Sequence, residues 1–455
     1  MMGRLVLAAL ALAIAAGAAR AADAPTITDA PTPGGLRLAH LRIADEIDQA
    51  IAFFWRDRSA LADPAKAGLV ELAPNLIVAG GGARFDGAAM DEALKDFGAS
   101  LGLRRTATAT LGELFAAARH FDAASETLAD ILAAPRLPAR VLAREKAALL
   151  ARLRDARQRP DRAAGLMLTR ALAPGAAERA LLLLDPPDTV QTIETADIDA
   201  WRRAALARDN LVVVAAGPLE RDAAAAIVDR VFAGLPARAA PPPAASLAPG
   251  GPARTIIVLR PVAQTALSMG AALRWPDQDA APARSIITGA LGGGPASRLW
   301  RAVRERLGAT YGAYAWMQPL GENAWRFTMQ SAVEHGAAPR ALAAMRAEYA
   351  RLREEGLSEQ EIAPIRARLI AGQSDTLTRA ASAAGAIRAA LLAGRPADAP
   401  LRAADDIAAL DAARINEIIR TRLPERLTTI IVSPTVEGFQ ADCVVAADQP
   451  TEVCD

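Results

Sequence analysis

Residues 299–314 read LWRAVRERLGATYGAY, and residues 90–104, in the first half of the chain, read MDEALKDFGASLGLR. Each is a short amphipathic run that stops at a glycine and resumes as a strand, because glycine at a helix end takes a left-handed conformation that other residues resist. Phe97-Gly98-Ala99-Ser100 and Leu307-Gly308-Ala309-Thr310 occupy the same place in the two runs. A segment that recurs in this way points to an internal duplication.

The flanking sequence extends the match in both directions. Upstream, QAIAFFWRDRSALAD (49–63) and QTALSMGAALRWPDQD (264–279) are apolar, strand-like runs with polar ends. Each is followed by a helix that runs into a glycine cluster, VAGGG (78–82) and GALGGG (289–294). Downstream, LPARVLAREKAALLARL (137–153) and LSEQEIAPIRARLIAGQ (357–373) read as long helices. Each half closes on a helix and a strand, IDAWRRAALARDNLVVVAAGP (198–218) and INEIIRTRLPERLTTIIVSP (415–434). The pattern predicts an α+β fold of two homologous domains, each a mainly antiparallel sheet with helices on one face, facing across a cleft. The stretch PARAAPPPAASLAPGGPAR (236–254) is too rich in Pro, Ala and Gly to pack and reads as the linker. The domains are then 22–235 and 255–455, and the cleft between them is the expected ligand site.

The ends of the chain carry their own signals. Arg4 precedes a small-apolar run from Leu5 to Ala19, and Ala19-Arg20-Ala21 supplies a small-residue cleavage pattern, so residues 1–21 read as a secretory leader. No later segment is apolar for long enough to span a membrane. The mature chain is expected to be periplasmic or otherwise exported, without stable membrane insertion. Cys443 and Cys454 are the only cysteines, and in an oxidising compartment this close pair predicts a disulfide that staples the C-terminus. A formal net charge of +1 gives no basis for nucleic-acid binding and leaves proteins, peptides or small molecules as partners.

Arg304 and Tyr311, seven positions apart, are the residues in the opening stretch with chemistry to offer. Local mechanics supplies a plain reading of both. Leu299, Trp300, Val303 and Leu307 make an apolar helical face, Arg304 suits a last helical turn, and Tyr311 could be strand core.

The stretch SRLWRAVRERLGATYGAYAW (297–316), with the glycines before it and the duplicated half, resembles the C-terminal domain of the insulinase/pitrilysin-type zinc peptidases, the group that includes mitochondrial processing peptidase. The resemblance covers nearly all of the mature chain. It implies that Arg304 and Tyr311 match a family pair that reaches across to a catalytic half, where a tyrosine hydroxyl can hydrogen-bond a developing oxyanion and an arginine fork can hold a substrate carbonyl or carboxylate.

The family's H-x-x-E-H helix, two zinc-binding histidines and a water-activating glutamate, corresponds here to AGLVELAPNLIVAGG (67–81). Glu71 stands at the first histidine, Pro74 at the glutamate and Asn75 at the second histidine. In AREKAALLARLRD (143–155) the auxiliary acid is kept as Glu145, but the third ligand position is Arg152, which cannot bind zinc. His40, His120 and His335 are far apart in sequence and show no ligand spacing. Glu71 reads locally as a helix-surface or capping group, and LLARLRDARQRPDR (149–162) as a solvated helix face.

The expectation is therefore a chain with no metal of its own. It is a non-catalytic peptidase-like subunit that pairs with a zinc-bearing homologue, contributes Arg304 and Tyr311 in trans, and helps enclose peptide substrates. The alternative is a structural or peptide-binding protein of the same fold, analogous to the respiratory-complex core subunits that resemble this family. An active peptidase with a rebuilt site ranks last, since neither a base nor an electrophile can be found and Pro74 disfavours an undistorted zinc helix.

Overall fold

The computed structural model describes residues 25–56, 64–106, 108–173, 175, 188–240, 250–275, 281–321, 323–446 and 454. The leader read at residues 1–21, and residues 241–249 of the proposed linker, lie outside the described residues.

The first half builds strands β1 (Ile27–Pro31), β2 (Arg37–Arg42), β3 (Asp48–Arg56), β4 (Ser100–Arg105), β5 (Ala109–Ala117) and β6 (Leu211–Gly217). Its helices are α1 (Leu69–Gly80), α2 (Gly87–Asp96), α3 (Phe121–Ala133), α4 (Ala139–Gln158), α5 (Pro160–Leu172), α6 (Thr195–Ala205) and α7 (Arg221–Phe232). The second half builds β7 (Thr255–Leu259), β8 (Thr265–Arg274), β9 (Ala313–Gly321), β10 (Ala324–Val333), β11 (Thr428–Ser433) and β12 (Cys443–Ala446). Its longer helices are α8 (Ala281–Gly292), α9 (Ala338–Glu355), α10 (Glu359–Ala371), α11 (Ala380–Leu392) and α12 (Ala412–Arg422).

The strands form two sheets, ordered β1-β2-β6-β3-β5-β4 and β12-β7-β11-β8-β10-β9. Leaving aside the outer strands β1 and β12, the two orders are the same topology, and the one parallel pair they share, β2 with β6 and β7 with β11, recurs in the same place. The closing strand of each half is central rather than marginal: β6 lies between β2 and β3, and β11 between β7 and β8. The two glycine-terminated helices match in backbone angles as well as in sequence. Gly98 and Gly308 have φ of 58° and 62°, the left-handed conformation that ends each short helix before the strand begins.

Strand β3 shows why each sheet needs two cover layers. Its run AIAFFW has no polar alternation, so side chains on both faces must be buried. Ile51, Phe53 and Trp55 join the core beneath helices of their own half, including α1 and α3. Ala50, Ala52 and Phe54 point the other way, where Ala380, Ala383, Ala384, Ile387 and Leu391 of α11 cover them. The covering helix thus comes from the opposite half of the chain. The exchange is mutual: Ala164, Leu168 and Leu172 of α5 cover Ile256, Val258, Ala266, Ile430 and Val432 of the second sheet. Helices of each half do pack on one face of their own sheet, as expected from the sequence; the crossed pair on the other faces is an addition.

Polar contacts fix the crossed helices. Glu46 Oε2 accepts the Ala380 N–H at 3.2 Å at the start of α11, and Arg56 Nη2 donates to the Leu391 carbonyl at 3.0 Å near its end. An acid at the N-terminus and a base at the C-terminus both suit the helix dipole. Arg388, within α11, donates from Nη1 to the Gly112 carbonyl of β5 at 2.8 Å. On the other sheet, Arg260 Nη2 donates to the Gln158 carbonyl at 3.0 Å, and Gln330 Nε2 donates to the Asp161 carbonyl.

Cys443 and Cys454 are joined as a disulfide across a sequence separation of 11 residues, so the tail is tied to β12. Strand β12 in turn pairs in parallel with β7. Replacing both cysteines with serine is expected to reduce unfolding free energy by roughly 3 kcal/mol through the freed loop entropy of the unfolded chain. Urea denaturation checks this, and an unchanged midpoint would show that the staple adds nothing to stability. Among the described residues no helix is long and apolar enough to cross a membrane.

Candidate functional site

Helix α1 carries Glu71, Pro74 and Asn75, the positions at which the sequence resemblance places the zinc motif. It runs without a break from Leu69 to Gly80 even though Pro74 lies inside it. Pro74 is buried with Leu72, Ala73, Leu76 and Ile77, while Glu71 and Asn75 lie at its half-buried margin. Helix α4 packs against α1, but Arg152 on it is exposed, and Glu145 is engaged by its neighbour Arg144 at 3.1 Å. A proline has no side-chain donor, and an arginine brings positive charge to the third ligand position. This donor set does not fit zinc. Among the described residues no group of three or more His, Cys, Asp or Glu side chains is placed to hold a metal ion.

The histidines serve elsewhere. His40 Nε2 lies 3.0 Å from the Leu219 carbonyl, and burial is the main cause that pushes its pKa below the ordinary histidine value. His335 bridges Thr265 Oγ1 at 2.8 Å and the Val262 carbonyl at 3.0 Å. His120 stacks on Phe97 at 5.9 Å between ring centroids.

Arg304 and Tyr311, by contrast, are brought side by side. Residues Trp300–Glu305 form a π-helical turn, in which the Arg306 N–H reaches back five residues to the Arg301 carbonyl at 3.0 Å. Here the two halves differ. In the first, the Ala99 N–H closes on the Leu94 carbonyl, five residues back; in the second, the Ala309 N–H closes on Val303, six back. The wider turn holds one more residue than its counterpart, and π turns of this kind are frequent at functional sites. The Arg304 guanidinium lies over the Trp300 ring at 4.8 Å and beside the Tyr311 ring at 5.7 Å. Its Nη1 donates to the carbonyls of Thr310 and Tyr311, at 3.3 and 3.0 Å. Tyr311 precedes β9 and is 85% exposed, so it is not the strand-core residue that local mechanics allowed. An exposed phenol held against an arginine can donate a hydrogen bond to a carbonyl oxygen presented from outside.

A group that sequence spacing does not reveal anchors this turn from behind. Arg298 is buried, and its Nε and Nη2 form a fork on the two carboxylate oxygens of Glu361 at 2.6 and 2.9 Å, with Nη2 also on the Gly356 carbonyl at 2.7 Å. Burial raises the Glu361 pKa, but the hydrogen bonds from Arg298 and from the Ser358 N–H outweigh it and hold the carboxyl at about 2. The pair ties the entrance of the π turn to the start of α10. It borders a cavity of about 870 Å³ that also exposes Arg301, Arg306, Glu348 and Arg368, all from the second half. Arg298 and Glu361 are 63 residues apart, so only the fold could have linked them.

Two duplicated α+β halves, with no histidine on the helix Leu69–Gly80, make up the described fold. Residues 192–369 match the family model described as the peptidase M16 inactive domain. The fold is similar over most of the chain to a peptidase M16 inactive domain from Pseudomonas fluorescens, at 22% identity and a TM-score of 0.80, covering 91% of this chain and 100% of that one. It is likewise similar to the periplasmic protease PqqL from Escherichia coli, at 14% identity and a TM-score of 0.79 over 90% of this chain; the chain spans 45% of that protein. A protease from Helicobacter pylori matches at 15% identity and a TM-score of 0.78, covering 90% of this chain and 100% of that one. No curated protein matches the sequence. Residues 192–369 thus match an M16 inactive domain, most of the chain shares the fold of these solved structures, and the sequence holds no H-x-x-E-H motif.

Proposed function

We propose that this chain is the non-catalytic subunit of an exported two-chain peptidase, in which a related subunit carries the zinc site and this one contributes Arg304, Tyr311 and part of the wall around a bound peptide. The observation that carries the reading is a contrast within one molecule. The α1 positions hold Glu71, Pro74 and Asn75 in place of the two histidines and the water-activating glutamate, while Arg304 and the exposed Tyr311 are held together on a π turn. In the assembled pair, the Tyr311 hydroxyl donates a hydrogen bond to the oxygen of the peptide carbonyl under attack, keeping its proton, and Arg304 fixes the loop that presents it. The disulfide and the likeness to a periplasmic protease support export.

One observation favours a second reading, an inert structural or peptide-binding protein. Arg304 already donates to two carbonyls of its own loop and stacks on Trp300, which is a complete structural role. Peptide hydrolysis by the purified chain, alone and mixed with a zinc-motif homologue from the same organism, separates the two. Activity only in the mixture is the expected result. Activity of the isolated chain overturns the proposal, and silence in both arms leaves the inert reading.

A further inference from the structure

Four arginines are buried among the described residues: Arg202, Arg298, Arg326 and Arg388. Three of them are compensated. Arg202 meets Asp199 at 2.9 Å, Arg298 meets Glu361 at 2.6 Å, and Arg388 donates to the Gly112 carbonyl at 2.8 Å with Glu113 alongside at 3.4 Å. Arg326, near the start of β10 and next to the edge strand β9, is the exception. It is 9% exposed, its Nε has no hydrogen-bond partner, and among the described residues no acidic group offsets the burial that pushes its guanidinium down to about 10. A buried cation left unpaired is strongly unfavourable. Such a group in a well-packed sheet calls for an explanation beyond the fold.

Strand register shows where it points. Phe327 and Met329 of β10 belong to the core beneath the second half's own helices, so Arg326 and Thr328 lie on the opposite face, the one that α5 partly covers. Arg326 is flanked in register by Ala272 of β8 and Gln318 of β9. The Thr328 hydroxyl, about 7 Å along the strand on the same face, is also buried without a partner. Strand β9 is the sheet edge, and Tyr314, on this face opposite Gln330, is 51% exposed. The face therefore opens to solvent beyond β9.

We propose that Arg326 anchors a carboxylate-binding site on this face, between β9 and α5, which takes the terminal or side-chain carboxylate of an extended peptide. A guanidinium fork matches a carboxylate with two parallel N–H···O bonds, and the incoming charge supplies the counter-ion the fold withholds. The peptide part of this inference rests on the functional reading above; the carboxylate part stands on Arg326 alone.

The test uses the purified full chain and three fluorescein-labelled alanine-rich peptides: one with a free C-terminus, one amidated, and one amidated with a single internal Glu. Anisotropy is measured for the wild type and for Arg326→Leu, with thermal melting of both. The expected result is that wild type prefers at least one carboxylate-bearing peptide and that Arg326→Leu weakens that binding about 10- to 100-fold, the range for a charged hydrogen-bonded pair. Binding of the neutral amidated peptide should not change. Which carboxylate peptide responds identifies the source of the charge. At the same time Arg326→Leu should melt a few degrees higher, because the unpaired charge is gone. A lower melting temperature would show a structural arginine and overturn the proposal. So would a wild type indifferent to carboxylate, or binding unaltered in the variant. Failure of the two-chain reading would appear in the mixed hydrolysis assay and not in these measurements of the isolated chain.

Discussion

Tyr311→Phe is expected to lower turnover by the reconstituted two-chain peptidase by roughly 10- to 1,000-fold, the range for loss of one oxyanion donor. Assembly and folding should be untouched. Tyr311 is 85% exposed and adds no apolar burial, and its contact with Arg304 involves the ring and the backbone carbonyl, both of which phenylalanine keeps. The loss should fall on kcat, with KM little changed, because the hydroxyl engages charge that develops only as the carbonyl is attacked. Steady-state hydrolysis of a fluorogenic peptide, with the assembly state checked by size-exclusion chromatography, measures this. An intact complex with wild-type turnover would remove Tyr311 from the chemistry.

Arg298→Leu should destabilise the chain by about 3–5 kcal/mol at neutral pH, since it leaves the Glu361 carboxylate partly buried without its counter-charge. The pH dependence gives the effect a signature. The Glu361 pKa is held at about 2 in the folded chain, below its value in the unfolded one. A depressed carboxylate contributes stability that is fully present above the unfolded value, near 4.5, and is lost as pH falls toward 2. The gap between wild type and Arg298→Leu is therefore widest at pH 5 and above and narrows as the medium is acidified. Urea denaturation between pH 2.5 and 7 would show it, and a gap independent of pH would mean that lost packing, not the ion pair, sets the cost. Because the pair secures the entrance to the π turn, the variant should also lose the stacking of Arg304 on Trp300, visible as a change in tryptophan fluorescence.

The contrast between these two predictions shows what kind of information each residue carries. Arg304 and Tyr311 are legible in sequence because a spacing of seven survives into a local turn, whose geometry is set by residues within a few positions. The side chains of Glu71, Pro74, Asn75 and Arg152 are legible for the same reason: that a proline or an arginine cannot bind zinc is a fact of side-chain chemistry and needs no coordinates. Arg298 with Glu361 was not legible, although Glu361 lies in a segment compared between the halves and Arg298 directly precedes one. One arginine among many, and one glutamate in an acidic helix start, give no sign in sequence that they will meet. Arg326 is a sharper case. In sequence it interrupts a strand with a charge, which an edge or solvated face would explain; only its burial without a partner makes it unusual.

The sequence by itself determined the duplication, the order of elements in each half, Gly98 and Gly308 as helix stops, the disulfide pair, and the absence of an H-x-x-E-H motif. These follow from local forces: the period of apolar residues, the left-handed freedom of glycine, the donor inventory of side chains. Uninterrupted apolar runs such as AIAFFW also demanded that both faces of each sheet be covered. What covers them only the tertiary structure decided. Helices α5 and α11 each bury their apolar stripe on the other half's sheet, and a hydrophobic stripe carries no address: it is satisfied by any apolar face of suitable shape that the chain can bring to it.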